Sequence, residues 1–319
     1  MYACSPRWPG DWISKSDLED ILKTLAVYIE PAPYGSDSVT VSHGLHFTGG
    51  EPFLNYSLLC RGVMLAEKYD IPSTFVETNC FWATTDQATR AKLRNLKKLG
   101  LKGIMISVNP FYLEFVPFER TRRCIDISLE IFGQNTMIYQ MDFFRHFNQL
   151  GITGCLPLQD YLKLPGSREF FQYTEFFMMG RAVYQAHLLP ERFTAVFPAS
   201  TFFNHPCDPP FLRSWHNHVD NYGNYIPGFC GGLSLGNIRN LTQLVRDGID
   251  LDNYPLLRFI IENDFEGFYS FACQKGYAGE DQRYHSKCHL CLDLRKFLVT
   301  RDSYAELKPH QFYDLLDLQ

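Results

Sequence analysis

Apolar positions along the first part of the chain alternate between two periods. In "SKSDLEDILKTLAVYI" (residues 14–29), Leu18, Ile21, Leu22, Leu25 and Ile29 share one helical face, with Ser14 or Ser16 at the cap position. "PAPYGSDS" breaks that helix, and "TVSHGLHFTGG" reads as a strand running into two glycines. "YSLLCRGVMLAEKYD" predicts a helix, "PSTFVETNCFW" a strand, and "DQATRAKLRNLKKLG" a polar helix closed by Gly100. "KGIMISVN" predicts a third strand, "ERTRRCIDISLEIFG" a helix closed by Gly133, and "TMIYQMDFF" a further strand. "REFFQYTEFFMMGRAVYQ" fits helix or strand, and "FTAVFPA" is expected to be the last strand of the series. Strand and helix taking turns in this way predict an α/β fold. Its parallel sheet would be covered by helices and either open or curled into a barrel, with ligands at the carboxyl ends of the strands.

The texture changes near Phe203. "NHPCDPPFLRSWHNHVDNYGNYIPGFCGGLSLGN" crowds Pro, Gly, His and Trp together and does not continue the repeat. Two domains are therefore expected, residues 1–203 and 204–319. The formal net charge of −5 on 319 residues gives no global attraction to nucleic acid or to an anionic membrane. The basic spot "ERTRRC" (residues 119–124) is short and mixed, as solvated helix faces are. No apolar run reaches the length of a membrane span, and the first residues resemble no signal peptide, so a cytoplasmic location is expected. Aromatic runs such as "FFQYTEFF" and "STFFNH" are expected in the core more than in a substrate cavity.

Of the ten cysteines, Cys4, Cys60, Cys80, Cys124 and Cys155 are scattered, as buried small thiols are. Cys207, Cys230, Cys273, Cys288 and Cys291 gather late and end in C-x2-C, a spacing that points to a metal. Cys207, Cys230, Cys288 and Cys291 make a four-thiolate set suited to an iron–sulfur cluster or to structural zinc. Cys273 is an alternative first ligand or a core thiol, and His285 and His289 are possible substitutes. In "HFTGGEPFLN" (residues 46–55), Gly49 and Gly50 leave backbone carbonyls free of a neighbouring Cβ, Glu51 adds negative charge, and Pro52 fixes the exit. The pattern reads as a cradle for a small cationic group, or as a tight turn with no ligand.

"HFTGGEPFLN", then "FVETNC", then "GIMISVN" with Arg120 beyond it, resembles the radical S-adenosylmethionine superfamily in order and spacing. "MMGRA" (residues 178–182) resembles a late segment of members with a cysteine-rich C-terminal domain. The resemblance covers roughly residues 39–298 and implies a partial (β/α)6 TIM-type barrel followed by a small cysteine-containing domain. It implies that S-adenosylmethionine is held by Gly49, Gly50, Glu51 and Pro52, by Thr78 and Asn79, and by Ser107 and Arg120. Of these, Thr78 and Asn79 also read as a strand-end turn, Ser107 as a helix cap and Arg120 as a surface charge.

"CDPPFLRSWHNHVDNYGNYIPGFC" followed by "CHLC" resembles the SPASM or twitch extension, with residues 220–224 as a hairpin-like turn. No cysteine follows Cys291, so the resemblance implies one auxiliary [4Fe–4S] cluster, with zinc as the alternative. The family's radical-generating cluster sits on a C-x3-C-x2-C loop, which this sequence lacks; only Cys4 lies in that region. The expectation is a chain that starts late, without its first barrel strand, or a protein that has discarded the cluster. As written, it is not expected to cleave S-adenosylmethionine. A peptide or small-molecule substrate and a flavodoxin or ferredoxin electron donor are implied for the complete enzyme. A binding protein with a structural metal site is the competing reading. A hydrolase-like protein finds no support, since no G-x-S-x-G elbow is present.

Overall fold

A computed structural model describes residues 7–8, 10–174, 176, 178–207, 216–228, 230–279 and 282–316. Cys4 lies outside the described residues. The chain divides into two compact units, Lys15–Glu175 and Phe176–Gln319 together with Met1–Ser14.

The first unit opens with α1 (Lys15–Leu25) and β1 (His46–Phe47), followed by a 3-10 turn at Pro52–Asn55 and α2 (Tyr56–Lys68). β2 (Phe75–Thr78), α3 (Asp86–Lys98), β3 (Gly103–Ser107), α4 (Pro110–Leu113), α5 (Phe118–Phe132) and β4 (Thr136–Tyr139) continue the alternation. α6 (Met141–Gln149), α7 (Leu158–Tyr161) and α8 (Ser167–Tyr173) complete it. The four strands form one parallel sheet in chain order, β1-β2-β3-β4, with His46 opposite Phe75, Phe75 opposite Gly103 and Ile104 opposite Thr136. Every residue of β3 is buried, as expected of a strand covered on both faces. The apolar stripes of α2, α3 and α5 bury Val63, Leu93, Leu96 and Ile125, and Leu22 of α1 packs with Leu65 and Ala66 of α2. Gly100 follows α3 and Gly133 caps α5, where the sequence placed them.

Two expected strands are corrected. "TMIYQMDFF" is strand only to Tyr139. Gln140 adopts a left-handed conformation (φ 63°), which ends the strand and starts α6. "FTAVFPA" supplies only β5 (Phe197–Pro198), which belongs to the second unit, pairs there antiparallel with β8 (Arg283–Tyr284) and does not extend the parallel sheet. The ambiguous stretch after residue 166 is helical through Tyr173, then a 3-10 helix over Gly180–Leu188. The division at residue 175 precedes the change of texture at Phe203. The reason is packing: Val183, Ala199 and Phe202 belong to the same core as the C-terminal helices.

The second unit adds β6 (Asn217–Val219), β7 (Tyr225–Pro227), α9 (Leu241–Asp247), α10 (Pro255–Ile261), α11 (Phe265–Gln274), β8, α12 (Lys287–Leu298) and α13 (His310–Asp314). β6 and β7 form the expected hairpin. Asp220 closes its turn, with Oδ1 accepting from the backbone N–H groups of Tyr222 (2.9 Å) and Asn224 (2.8 Å). Leu256, Leu257, Phe265, Phe268, Leu290, Leu294 and Leu298 fill the core. Of the aromatic runs, Phe171 and Phe202 are buried, whereas Tyr173 is exposed. Among the described residues no helix is long and apolar enough to cross a membrane.

Candidate functional site

The residues expected to hold S-adenosylmethionine all lie in the first unit, at or beyond the carboxyl ends of its strands. Gly49 and Gly50 follow β1 and are exposed. Gly49 has φ +136°, a conformation that disfavours side chains, and a Cβ added at either glycine would meet nothing within 4 Å. Neither carbonyl accepts a hydrogen bond among the described residues. Pro52 starts the 3-10 turn, whose cap is Glu51.

Glu51 is 6% exposed and is tied back to the next strand. Oε1 accepts from the Thr78 hydroxyl (2.9 Å) and the Phe53 N–H (3.2 Å), and Oε2 from the Asn79 N–H (2.7 Å). Burial pushes its carboxyl up to about 7. The N–H groups of Asn79 and Phe53 and the Thr78 hydroxyl oppose the shift, and the Glu77 charge adds to it. Thr78 and Asn79 are therefore joined to the turn. Thr78 also accepts from the Trp82 ring N–H (2.9 Å), which stacks that indole on Phe53.

Ser107, at the end of β3, donates to Glu77 Oε1 (2.6 Å), and Thr48 donates to Glu77 Oε2 (3.0 Å). Glu77 thus bridges the loop after β1 to the tip of β3. Its role was not read from the sequence, although it precedes Thr78 and points to the opposite side of the strand. Arg120, in the first turn of α5, donates to the Phe81 carbonyl (2.6 Å) and so anchors the segment after Asn79. Asn109 caps α4. A cavity of about 10 Å³ beside Ser107, Val108 and Asn109 is no larger than one water.

The second unit gathers the late cysteines. Cys207 follows the 3-10 turn at Ala199–Phe202, and Cys230 follows β7. Cys288 and Cys291 lie in the opening turns of α12, three residues apart and so on one face. Cys207, Cys230, Cys288 and Cys291 all lie within electrostatic reach of one another. Burial raises the thiols of Cys207, Cys230 and Cys288, that of Cys288 up to about 12, and their mutual proximity adds to the shift. Among the described residues no group of three or more His, Cys, Asp and Glu side chains stands arranged to hold a metal ion. Closing these four around one therefore requires their side chains to adjust.

Two cations flank the thiols. Lys287 donates to the carbonyls of His205 (3.1 Å) and Pro206, next to Cys207. Arg295 is 5% exposed, and Cys291 lies within its electrostatic reach. Its Nε is buried with no partner among the described residues. A four-thiolate metal centre is dianionic and would supply the charge that Arg295 lacks, so these residues suit such a group in donor type and charge once their side chains close around it. The sequence held a signal for this: Cys288, Cys291 and Arg295 follow an i, i+3, i+7 stripe.

Cys273, on α11, lies near Tyr284. His289 is packed against Tyr184, Tyr284 and His285, and burial pushes its imidazole down to about 4. Of the scattered cysteines, Cys80 and Cys124 are fully buried and Cys60 is half-buried. Cys155 is exposed, contrary to expectation, because it lies in the loop between α6 and α7.

No protein-family model matches this chain, and no curated protein matches it.

Proposed function

We propose that the Lys15–Glu175 unit binds S-adenosylmethionine at the carboxyl edge of a parallel sheet belonging to a partial barrel, and that the second unit carries a metal on Cys207, Cys230, Cys288 and Cys291. One observation carries the first half. Among the described residues the Gly49 and Gly50 carbonyls have no partners, a Cβ at either position would meet open space, and Glu77, with Glu51 once ionised, places negative charge at the surrounding edge. An ammonium and a sulfonium are the charges such an edge favours. Thr78, Asn79, Ser107 and Arg120 keep the edge in shape through Glu51, Glu77 and the Phe81 carbonyl.

The sequence has no C-x3-C-x2-C segment, so no residues here fit the radical-generating cluster, and no step is assigned to it. In the radical S-adenosylmethionine enzymes that this chain resembles, that cluster reductively cleaves S-adenosylmethionine to a radical that abstracts hydrogen from substrate. The reading for this chain is binding without cleavage. A reducing, cytoplasmic setting would keep the four cysteines available to a metal. A peptide or small-molecule substrate, and flavodoxin or ferredoxin as donor, belong to the reading only with a complete cluster loop.

Calorimetric titration tests the binding. S-adenosylmethionine is expected to bind saturably, and more tightly than S-adenosylhomocysteine, which lacks the sulfonium charge. In Gly50→Val the added side chain enters the open space, so affinity falls at least about tenfold, or ~1.4 kcal/mol. Stability is expected to change by no more than ~0.5 kcal/mol. Absence of saturable binding by the unaltered protein overturns the reading.

A further inference from the structure

Arg295 links two segments that carry cysteines. Its Nη1 donates to the Gly231 carbonyl (3.0 Å) and to the Tyr313 hydroxyl (3.0 Å), and Tyr313 donates in turn to the Gly232 carbonyl (2.5 Å). The loop "CGG" is thereby clamped to α12 immediately after Cys230. Gly232 is required in this clamp: it has φ +75°, and a Cβ would meet Phe312 Cδ1 at 2.2 Å. The guanidinium also lies 5.8 Å from the centre of the Tyr313 ring.

None of these partners carries a formal negative charge. Arg295 takes part in no ion pair among the described residues, and its buried Nε is unpartnered. The nearest acid along the helix, Asp293, is engaged elsewhere, accepting from the hydroxyls of Tyr277 and Tyr184. A guanidinium does not escape burial by losing its proton. Left uncompensated, such a buried charge destabilises the fold. What lies within its electrostatic reach is Cys291, one turn earlier on the same helix, and Cys230, next to the Gly231 carbonyl that it binds.

We propose that Arg295 is the charge-compensating and positioning residue of the four-cysteine site. It holds the Cys230 loop against the helix bearing Cys288 and Cys291 and balances the negative charge of a metal tetrathiolate centre. This rests on the reading that the four cysteines hold a metal. The charge requirement is shared by a zinc tetrathiolate and a cysteine-ligated [4Fe–4S] cluster, so the test has an arm for each.

The full chain, Arg295→Met, Arg295→Lys and a Cys288→Ser/Cys291→Ser double variant are each made metal-free. One set is titrated with zinc against a chromophoric chelator; the other is reconstituted anaerobically with ferrous iron and sulfide. Arg295→Met is expected to hold zinc at least tenfold more weakly than the unaltered chain. In the iron arm, at a potential that half-reduces the unaltered chain, its reduced-to-oxidised ratio should fall at least tenfold, about 59 mV for one electron. Arg295→Lys should lie between the two in whichever arm loads. Metal-free Arg295→Met should melt no lower than the metal-free unaltered chain, since an uncompensated buried charge has been removed. A purely structural strut would instead lower it.

Equal retention and potential in Arg295→Met, a lower metal-free melting temperature, or Arg295→Lys no better than Arg295→Met would each overturn the proposal and leave the metal reading standing. If the unaltered chain takes up neither metal more strongly than the double cysteine variant, the metal reading fails and the proposal with it.

Discussion

The two units each bury an ionisable side chain, and they treat it in opposite ways. Glu51 in the first unit accepts three hydrogen bonds from Thr78, Asn79 and Phe53. Its turn is complete without a ligand, while the Gly49 and Gly50 carbonyls beside it have no partner among the described residues. Arg295 in the second unit has its buried Nε left over and no anionic partner among the described residues. A carboxyl satisfied by its own fold explains a turn and does not by itself call for a ligand. A charge left short asks for a counter-charge, so the second unit argues for its occupant more strongly than the first.

The sharpest way to break that contrast is to take away the thiolates. In Cys288→Ser/Cys291→Ser the second unit loses half its proposed ligands while Arg295 stays buried. Its unfolding free energy, measured on metal-loaded samples by chemical denaturation, is expected to fall by several kcal/mol, in the range by which structural metals stabilise small domains. The same substitutions should leave S-adenosylmethionine titrations unchanged. An equal loss at both sites would show that the contrast between the units is false.

The first unit responds to pH instead. Burial raises the folded-state pKa of Glu51 from 4.5 to about 7, so the folded chain holds its proton where the unfolded chain has released it. Stability contributed by this group is therefore full below about pH 4.5 and is lost as pH rises to about 7, by up to ~3 kcal/mol. Glu51→Gln should flatten that slope in denaturation curves taken from pH 4 to pH 8. A cationic ligand prefers the ionised carboxylate, so S-adenosylmethionine affinity should rise across the same window and the rise should vanish in Glu51→Gln. An unchanged slope in the variant would assign the titration to another group.

Legibility followed the same divide. The turn at residues 46–55 was readable because a backbone bend needs its glycines and proline side by side, whereas Glu51 read only as a negative charge and its cap role emerged from the fold. The helices around the sheet were readable from their stripes, down to Gly133 as the C-cap of α5. Glu77 was passed over because it is one acid in a buried strand, and only the folded sheet sets Thr48 and Ser107 beside it. The short C-x2-C was plain, but Arg295 acquires meaning only when the chain returns Cys207 and Cys230 to α12. "FTAVFPA" misled for a related reason: its composition suits a strand, but tertiary pairing with Arg283–Tyr284 decides which sheet receives it.

The smallest effect tests how the first unit's edge is divided between fold and ligand. Arg120 donates to the Phe81 carbonyl at 2.6 Å, two residues beyond Asn79, whose N–H binds Glu51. A hydrogen bond of this kind contributes about 1 kcal/mol, somewhat more with a charged donor. Arg120→Ala should therefore lower stability by about 1 kcal/mol in denaturation experiments. If the guanidinium acts only as an anchor, S-adenosylmethionine affinity should fall no more than Asn79 loosens, about threefold. A loss of tenfold or more, restored in part by Arg120→Lys, would mean that the side chain also meets the ligand's carboxylate. The edge would then share the property of the second unit, a charge waiting for its partner, and the contrast between the units would narrow to one of degree.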